Sequence, residues 1–291
     1  MQTLKNSLFY ILLFLIYPII SSGQSKVKHI QQIFVPHSYY KEYYTKTDSL
    51  GYKIKDKDTL IHVSSFIKPK GVGVPYEFKD DTFLEVYKPI AFQSTEKKNS
   101  DSEPMKYWKE EIKIYFTPNI SKRVKKEFLR FTKTIDKNVD SLKVRNVKNI
   151  ENANYIIYTN NDFEYEENLK SMSSGGYYIN WNRKNQIIKG HIKLNTKNLF
   201  SDLVQIQKAK ELFILSLGWF KPSNTLDCTS YFSNCFSDKK VMSSLDWEIL
   251  KYHYSYGICK GTKISQFEEQ HKRGKKSMKN PHNKFVIYHH Y

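Results

Sequence analysis

Cysteine is scarce in this chain: Cys228, Cys235 and Cys259 are the only three in 291 residues, all in the last quarter. No two stand in Cys-x-x-Cys spacing, which argues against a zinc ribbon or a dithiol redox motif. Glycine and proline are few, with 11 and 9, and no glycine cluster has the context of a Walker or dinucleotide loop. Gly175-Gly176 reads as a strand entry. No Gly-x-Ser-x-Gly elbow is present, so an α/β-hydrolase nucleophile is excluded. Acidic residues are outnumbered, 29 against 47 Lys and Arg, a formal charge of +18. Only one long apolar run exists, Leu8 to Ile20, shorter than the roughly 18 residues a membrane span needs.

That run follows Lys5 and precedes Ser21-Ser-Gly23, the three parts of a secretory signal. Cleavage near Gly23 is expected, giving a secreted or periplasmic chain from Gln24 with no transmembrane span; an uncleaved anchor is the alternative. No Cys follows the apolar segment, which excludes a lipoprotein anchor. The basic balance can favour acidic partners such as anionic lipid or cell-wall polymer. Export argues against nucleic acid, and the joint abundance of Lys, Asn, Ile, Tyr and Phe also has a simple source in an AT-rich genome. In an oxidising compartment two of the three cysteines are expected to pair. Cys228 with Cys235 would close a small loop, but either could bond Cys259 instead.

From Gln24 to about Phe92 the chain is polar and Tyr-rich. Leu60-Ile-His-Val and Thr82-Phe-Leu-Glu-Val-Tyr alternate as short strands, with a turn at Lys70 to Pro75. Residues 24–105 thus read as an N-terminal extension or small β-rich subdomain, ending in the Ser-rich linker Ser94 to Pro104. Beyond it, Ile112, Ile114 and Phe116 alternate as a half-buried strand. Val124, Phe128, Phe131, Ile135, Val139 and Leu142 line one face of a helix that Asn119 or Ser121 can cap. Ala153 to Thr159 suits a strand buried on both faces. Two strands from Gly175 and Gly190 are joined by a turn at Asn182 to Asn185. Ser201 caps a second helix carrying Leu203, Ile206, Phe213, Ile214 and Leu217, ended by Gly218 in a left-handed conformation. Ser243-x-x-Asp246 opens a third helix by a capping box, with Leu245, Ile249, Leu250 and Tyr256 as its apolar residues. Residues 263–291 read as a loose, basic tail.

The run Lys208-Ala-Lys-Glu211-Leu-Phe-Ile-Leu215-Ser-Leu-Gly218-Trp, the later Val241-Met-Ser-Ser-Leu-Asp246-Trp-Glu-Ile-Leu250 and this element order resemble zincin-like metallopeptidases of the metzincin type. They are also similar to uncharacterised exported zincin-like domains with Glu-Glu-Leu-x-Gln-x-Leu-Gly and Leu-x-x-x-Asp-x-x-Leu-Leu helices. The resemblance covers residues 106 to 262. It implies an α+β fold: a zincin-like mixed sheet packed on two long helices, with a C-terminal helix and the N-terminal β-rich extension. Gly218, Met242 and Asp246 fall on structural positions, Met242 on the methionine that floors metzincin sites.

Zinc hydrolysis needs three protein ligands, an open position for water and a carboxylate base. Carried across by position, the two motif histidines fall on Glu211 and Leu215, the base on Leu212 and the distal ligand on Lys221. The resemblance therefore implies a non-catalytic, binding use and no cofactor. The old cleft would be either filled by Leu212, Phe213 and Leu215 or kept as a recognition groove. The partner would be an unidentified protein, peptide or cell-surface polymer. One alternative is an active metal-dependent hydrolase, of peptide or cell wall, whose zinc shell combines Glu211, His253 and Asp227, with His191 a further candidate. Another is a basic module binding anionic surface polymer. His271, His282, His289 and His290 lie in the tail with Lys272-Arg-Gly-Lys-Lys276; Glu164, Glu166 and Glu167 read as a solvated acidic loop.

Overall fold

The structure, a computed structural model, describes residues 32–55, 58–93, 103–173, 175–278 and 285–289. The export segment, nearly all of the Ser-rich linker, His282 and His290 lie outside these residues. The chain divides into two compact units, Met1–Lys70 and Gly71–Tyr291.

In the first unit, β1 (Ile33–Pro36), α1 (His37–Tyr43), β2 (Ser49–Lys55) and β3 (Asp58–Val63) follow in order. The strands form an antiparallel sheet in the order β1-β3-β2 around a small core of Val35, Tyr40, Ile61 and Val63. β3 holds the Leu60–Val63 strand expected from the sequence.

The second unit begins with β4 (Val72–Pro75) and α2 (Asp81–Phe92). Then come β5 (Tyr107–Trp108), β6 (Ile112–Phe116), α3 (Lys122–Asn138), β7 (Val144–Asn146), β8 (Tyr155–Thr159), β9 (Gly176–Trp181) and β10 (Gln186–Leu194). It closes with α4 (Asp202–Ser216), α5 (Ser244–Tyr254), α6 (Ile264–Met278) and β11 (Val286–His289), the last antiparallel to β4. The main sheet runs β5-β10-β8-β6-β7 with parallel pairing, and β9 lies antiparallel to β10. The unit is thus mixed α and β.

Strand alternation decides which residues meet which layer. Ile112, Ile114, Phe116, Tyr155, Ile157, Ile192 and Leu194 face one side, and join Val124, Phe128 and Ile135 of α3 and Ile206, Ala209 and Phe213 of α4 in one core. Ile156 and Tyr158 point to the other face and pack with Leu169 from the segment after β8. β8 is therefore buried along its whole length, as expected. Ser121, Ser201 and Ser243 each accept a bond from the backbone amide three residues on, which supplies the three N-caps.

Four expectations change. The unit boundary falls after Lys70 rather than in the linker before 106, because α2 belongs to the main core. Thr82–Tyr87 is helical, not a strand. Asp80 accepts from the Phe83 amide, and Phe83, Leu84, Tyr87, Ile90 and Ala91 recur at helical spacing and are buried. Val139 and Leu142 are buried but lie past the end of α3, while Leu203 and Tyr256 are exposed. The tail is not loose, since Phe267 of α6 is buried against Tyr87, Phe92 and Tyr252. Phe267→Ala should cost about 3–5 kcal/mol in chemical denaturation, the range for deleting a buried ring; a merely tethered tail would show no change.

Candidate functional site

Helix α4 is the element on which a zincin site would be built. Asp202 in its first turn complements the helix dipole and accepts from the Ser121 hydroxyl at 2.9 Å. Its middle is buried, with Leu212 and Leu215 each 5 % exposed and Phe213 fully enclosed. Phe213 meets Phe128 and Tyr155 edge-on, at ring separations of 5.3 and 5.5 Å. The Ser216 hydroxyl donates to the Phe213 carbonyl at 2.7 Å, so at its 2.6 Å contact with Tyr155 the phenol is the donor.

The helix ends differently from expectation. The left-handed residue is Trp219, with φ 53°, not Gly218. The Phe220 amide reaches back to the Leu215 carbonyl at 2.9 Å, which closes the last turn. Gly218 is needed for space, because a Cβ there would stand 2.3 Å from the Phe220 ring. The strain at Trp219 is of order 1–2 kcal/mol. It is offset by the Trp219 ring packing at a tilt against Trp181, ring centres 5.0 Å apart, and by Gln93 donating to its carbonyl at 2.6 Å. The buried Lys106 ammonium lies 4.4 Å from the Trp181 ring centre, a cation–π contact.

The positions that would carry zinc chemistry are occupied otherwise. Glu211 accepts from Lys208 at 3.3 Å. Leu212 and Leu215 are part of the core, and Lys221 is exposed. His253 is fully buried between two partners. Its Nε2 donates to the Lys106 carbonyl at 2.8 Å, which leaves Nδ1 to accept from the Tyr87 hydroxyl at 3.0 Å. Burial lowers its pKa to about 3, keeping the ring neutral. Asp227 turns onto the Thr229 amide and hydroxyl, at 2.8 and 2.6 Å, bonds that hold its carboxyl below the ordinary range. The structure does not gather Glu211, His253 and Asp227. Among the described residues no three His, Cys, Asp or Glu side chains converge to hold a metal ion. Glu211, His253 and Asp227, each held by the partners named above, do not make a zinc shell as placed.

The loop over α4 is locked rather than open. Cys228 and Cys235 form the disulfide, and Cys259 is free. Asp246, fully buried, accepts from the Ser230 hydroxyl at 2.6 Å and the Tyr231 amide at 3.0 Å while completing the capping box with Ser243. Lys240 is buried beneath the loop and donates to the Ser230 and Ser233 carbonyls at 2.9 and 2.8 Å. Desolvation lowers its pKa, with Glu211 acting in the opposite direction. Met242 is half-buried against the core. Leu212, Phe213 and Leu215, the residues expected to fill a cleft, are buried in the core. Two recesses, of about 650 and 410 Å³, open elsewhere: one beside Glu77, Asp140 and Ser255, the other between α2 and α6.

Sequence reasoning missed Lys240 and Lys106, since a lysine in a polar segment carries no signal of burial. It placed His191 on the strand before α4, as found, but did not give its face, and it read the acidic loop as solvated. His191 lies on the face of β10 turned away from α4, opposite Ile156 and Tyr178, with Glu166 Oε2 3.6 Å from Nδ1 and neither ring nitrogen hydrogen-bonded. Glu164 is not solvated but receives the Lys193 ammonium and the Tyr158 hydroxyl. Burial raises its carboxyl, yet these partners outweigh it and the pKa falls. Only Glu167 is exposed, 3.6 Å from Lys170. In the C-terminal segment His271 contacts the Tyr76 hydroxyl and His289 donates to the Tyr256 carbonyl, so these two do not form a metal cluster.

No protein-family model matches this chain, and no curated relative matches it significantly.

Asp246→Ala should cost about 3 kcal/mol, because it strands the buried Ser230 hydroxyl and Tyr231 amide; an unchanged denaturation midpoint would show that the loop does not depend on it. Burial lowers the His191 pKa from its ordinary 6.5 to about 4. The unfolded chain therefore takes up a proton first, and stability present above pH 6.5 is lost as pH falls towards 4. A His191→Phe variant should gain on the native protein over that window, with the difference level below pH 4; a difference independent of pH would contradict the assignment.

Proposed function

We propose that the second unit is a zincin-like domain that has lost zinc chemistry and serves at the cell exterior in binding. One observation carries the reading: Leu212 and Leu215 are packed in the core where a zincin needs its base and second imidazole. Catalysis on zinc needs a polar, open coordination shell, and leucine supplies neither a ligand nor a proton acceptor. The saturated nitrogens of His253 and the paired carboxylate of Glu211 support the same conclusion.

The zincin part of the proposal is supported by the element order from β6 through α5. The mixed sheet, with α4 packed across it, suits it too. The Cys228–Cys235 disulfide suits an oxidising compartment. No helix among the described residues is long and apolar enough to cross a membrane.

Protein purified without a His tag should contain far less than one equivalent of zinc by elemental analysis. Glu211→Ala should leave both that content and the cleavage of a peptide library unchanged. One equivalent of zinc, released by Glu211→Ala together with a loss of hydrolysis, would overturn the proposal.

A further inference from the structure

The outward face of α3 goes against several preferences of an isolated helix. Its exposed positions hold Lys122, Arg123, Lys126, Arg130, Lys133 and Lys137, with Thr134 and Asn138 as the only others. Lys122/Lys126, Lys126/Arg130 and Lys133/Lys137 are like-charge neighbours four residues apart, an arrangement that disfavours a helix. Lys122 and Arg123 occupy a first turn with no acidic residue, against the helix dipole. The two carboxylates of the helix, Glu127 and Asp136, are half-buried and are taken by Arg130 at 2.7 Å and Lys143 at 3.8 Å. Among the described residues, Lys122, Arg123, Lys126, Lys133 and Lys137 form no ion pair.

The helix tolerates this because its other face is anchored. Val124, Phe128 and Ile135 are fully buried, so the cations stand on a rigid support. The row from Lys122 to Lys137 is about 22 Å long, with a charge about every 5–6 Å at the helical rise. Lys210 of α4 flanks its middle, 5.5 Å from the Phe131 ring and close enough to Arg130 for that charge to act on it. No apolar side chain is exposed on the stripe to enter a bilayer. A single file of evenly spaced cations suits a linear chain of phosphates. In the oxidising compartment that the disulfide suits, such a chain is a surface polymer rather than nucleic acid.

We propose that the α3 stripe binds a linear, phosphodiester-linked glycopolymer of the cell exterior. The surface uses none of the core-facing positions of α4 and stands whether or not that helix descends from a zinc site.

The test titrates the purified protein with poly(glycerol phosphate) at several salt concentrations. Five contacts predict a log–log salt slope of about −3.5, at roughly −0.7 per neutralised phosphate. The combined variant Lys126→Gln, Lys133→Gln, Lys137→Gln should bind at least tenfold more weakly and flatten the slope by about 2, with its denaturation midpoint unchanged or raised. A charge-matched variant at Lys148, Lys239 and Lys272, each to Gln, should keep native affinity and slope. Equal loss in both variants would overturn the proposal, because net charge alone would then account for binding. Tighter binding to phosphatidylglycerol vesicles than to the polymer at equal phosphate would also overturn it, in favour of a planar surface.

Discussion

Burial of α4 between the sheet and the disulfide-closed loop is the constraint from which the character of this protein follows. A helix enclosed on most sides must carry apolar side chains or fully partnered polar ones. Two imidazoles one turn apart would each need a partner at both ring nitrogens there, a metal ion or a hydrogen-bonding group. Leu212 and Leu215 meet the same constraint without a metal, and Phe213 ties the helix to both α3 and the sheet through Phe128 and Tyr155. The helix that would serve chemistry in a zincin here serves packing.

The polar groups retained near α4 follow the same rule. His253 is neutral and has a partner at each nitrogen. Asp246 satisfies the helix start and the loop together, and Lys240 holds two loop carbonyls. Each behaves as a crosslink between segments far apart in sequence, which gives one arrangement of the loop an advantage over its alternatives. His191, on the opposite face, departs from the rule: a buried imidazole with no hydrogen bond, kept neutral by its burial, with the Glu166 carboxylate 3.6 Å away.

Local signals were legible wherever a few neighbouring residues decide the outcome. Ser121, Ser201 and Ser243 read as caps because a hydroxyl accepting an amide three residues on is a short-range event. β8 was legible from four consecutive residues, and Cys228 with Cys235 was one of the readings that seven residues of separation allows. Failures came where a distant contact decides. Thr82–Tyr87 alternates like a strand, yet the core offers a surface that suits a helix, and propensity yields to packing. Gly218 reads as the left-handed residue by type, but that conformation passed to Trp219 because Phe220 closes over the glycine and Trp181 holds the neighbouring ring.

What the amino-acid order determined alone is most of the succession from β6 to α5, the caps at Ser121, Ser201 and Ser243 and the lack of histidine on α4, since each depends on residue type and near neighbours. Tertiary structure decided the rest. It placed α2 and α6 in the main core, turned His191 and the acidic segment onto the far face of the sheet, kept Glu211, His253 and Asp227 apart, and buried Lys106 and Lys240. The physical reason is the same in every case: burial depends on which surfaces meet across the fold, and no local window contains both partners.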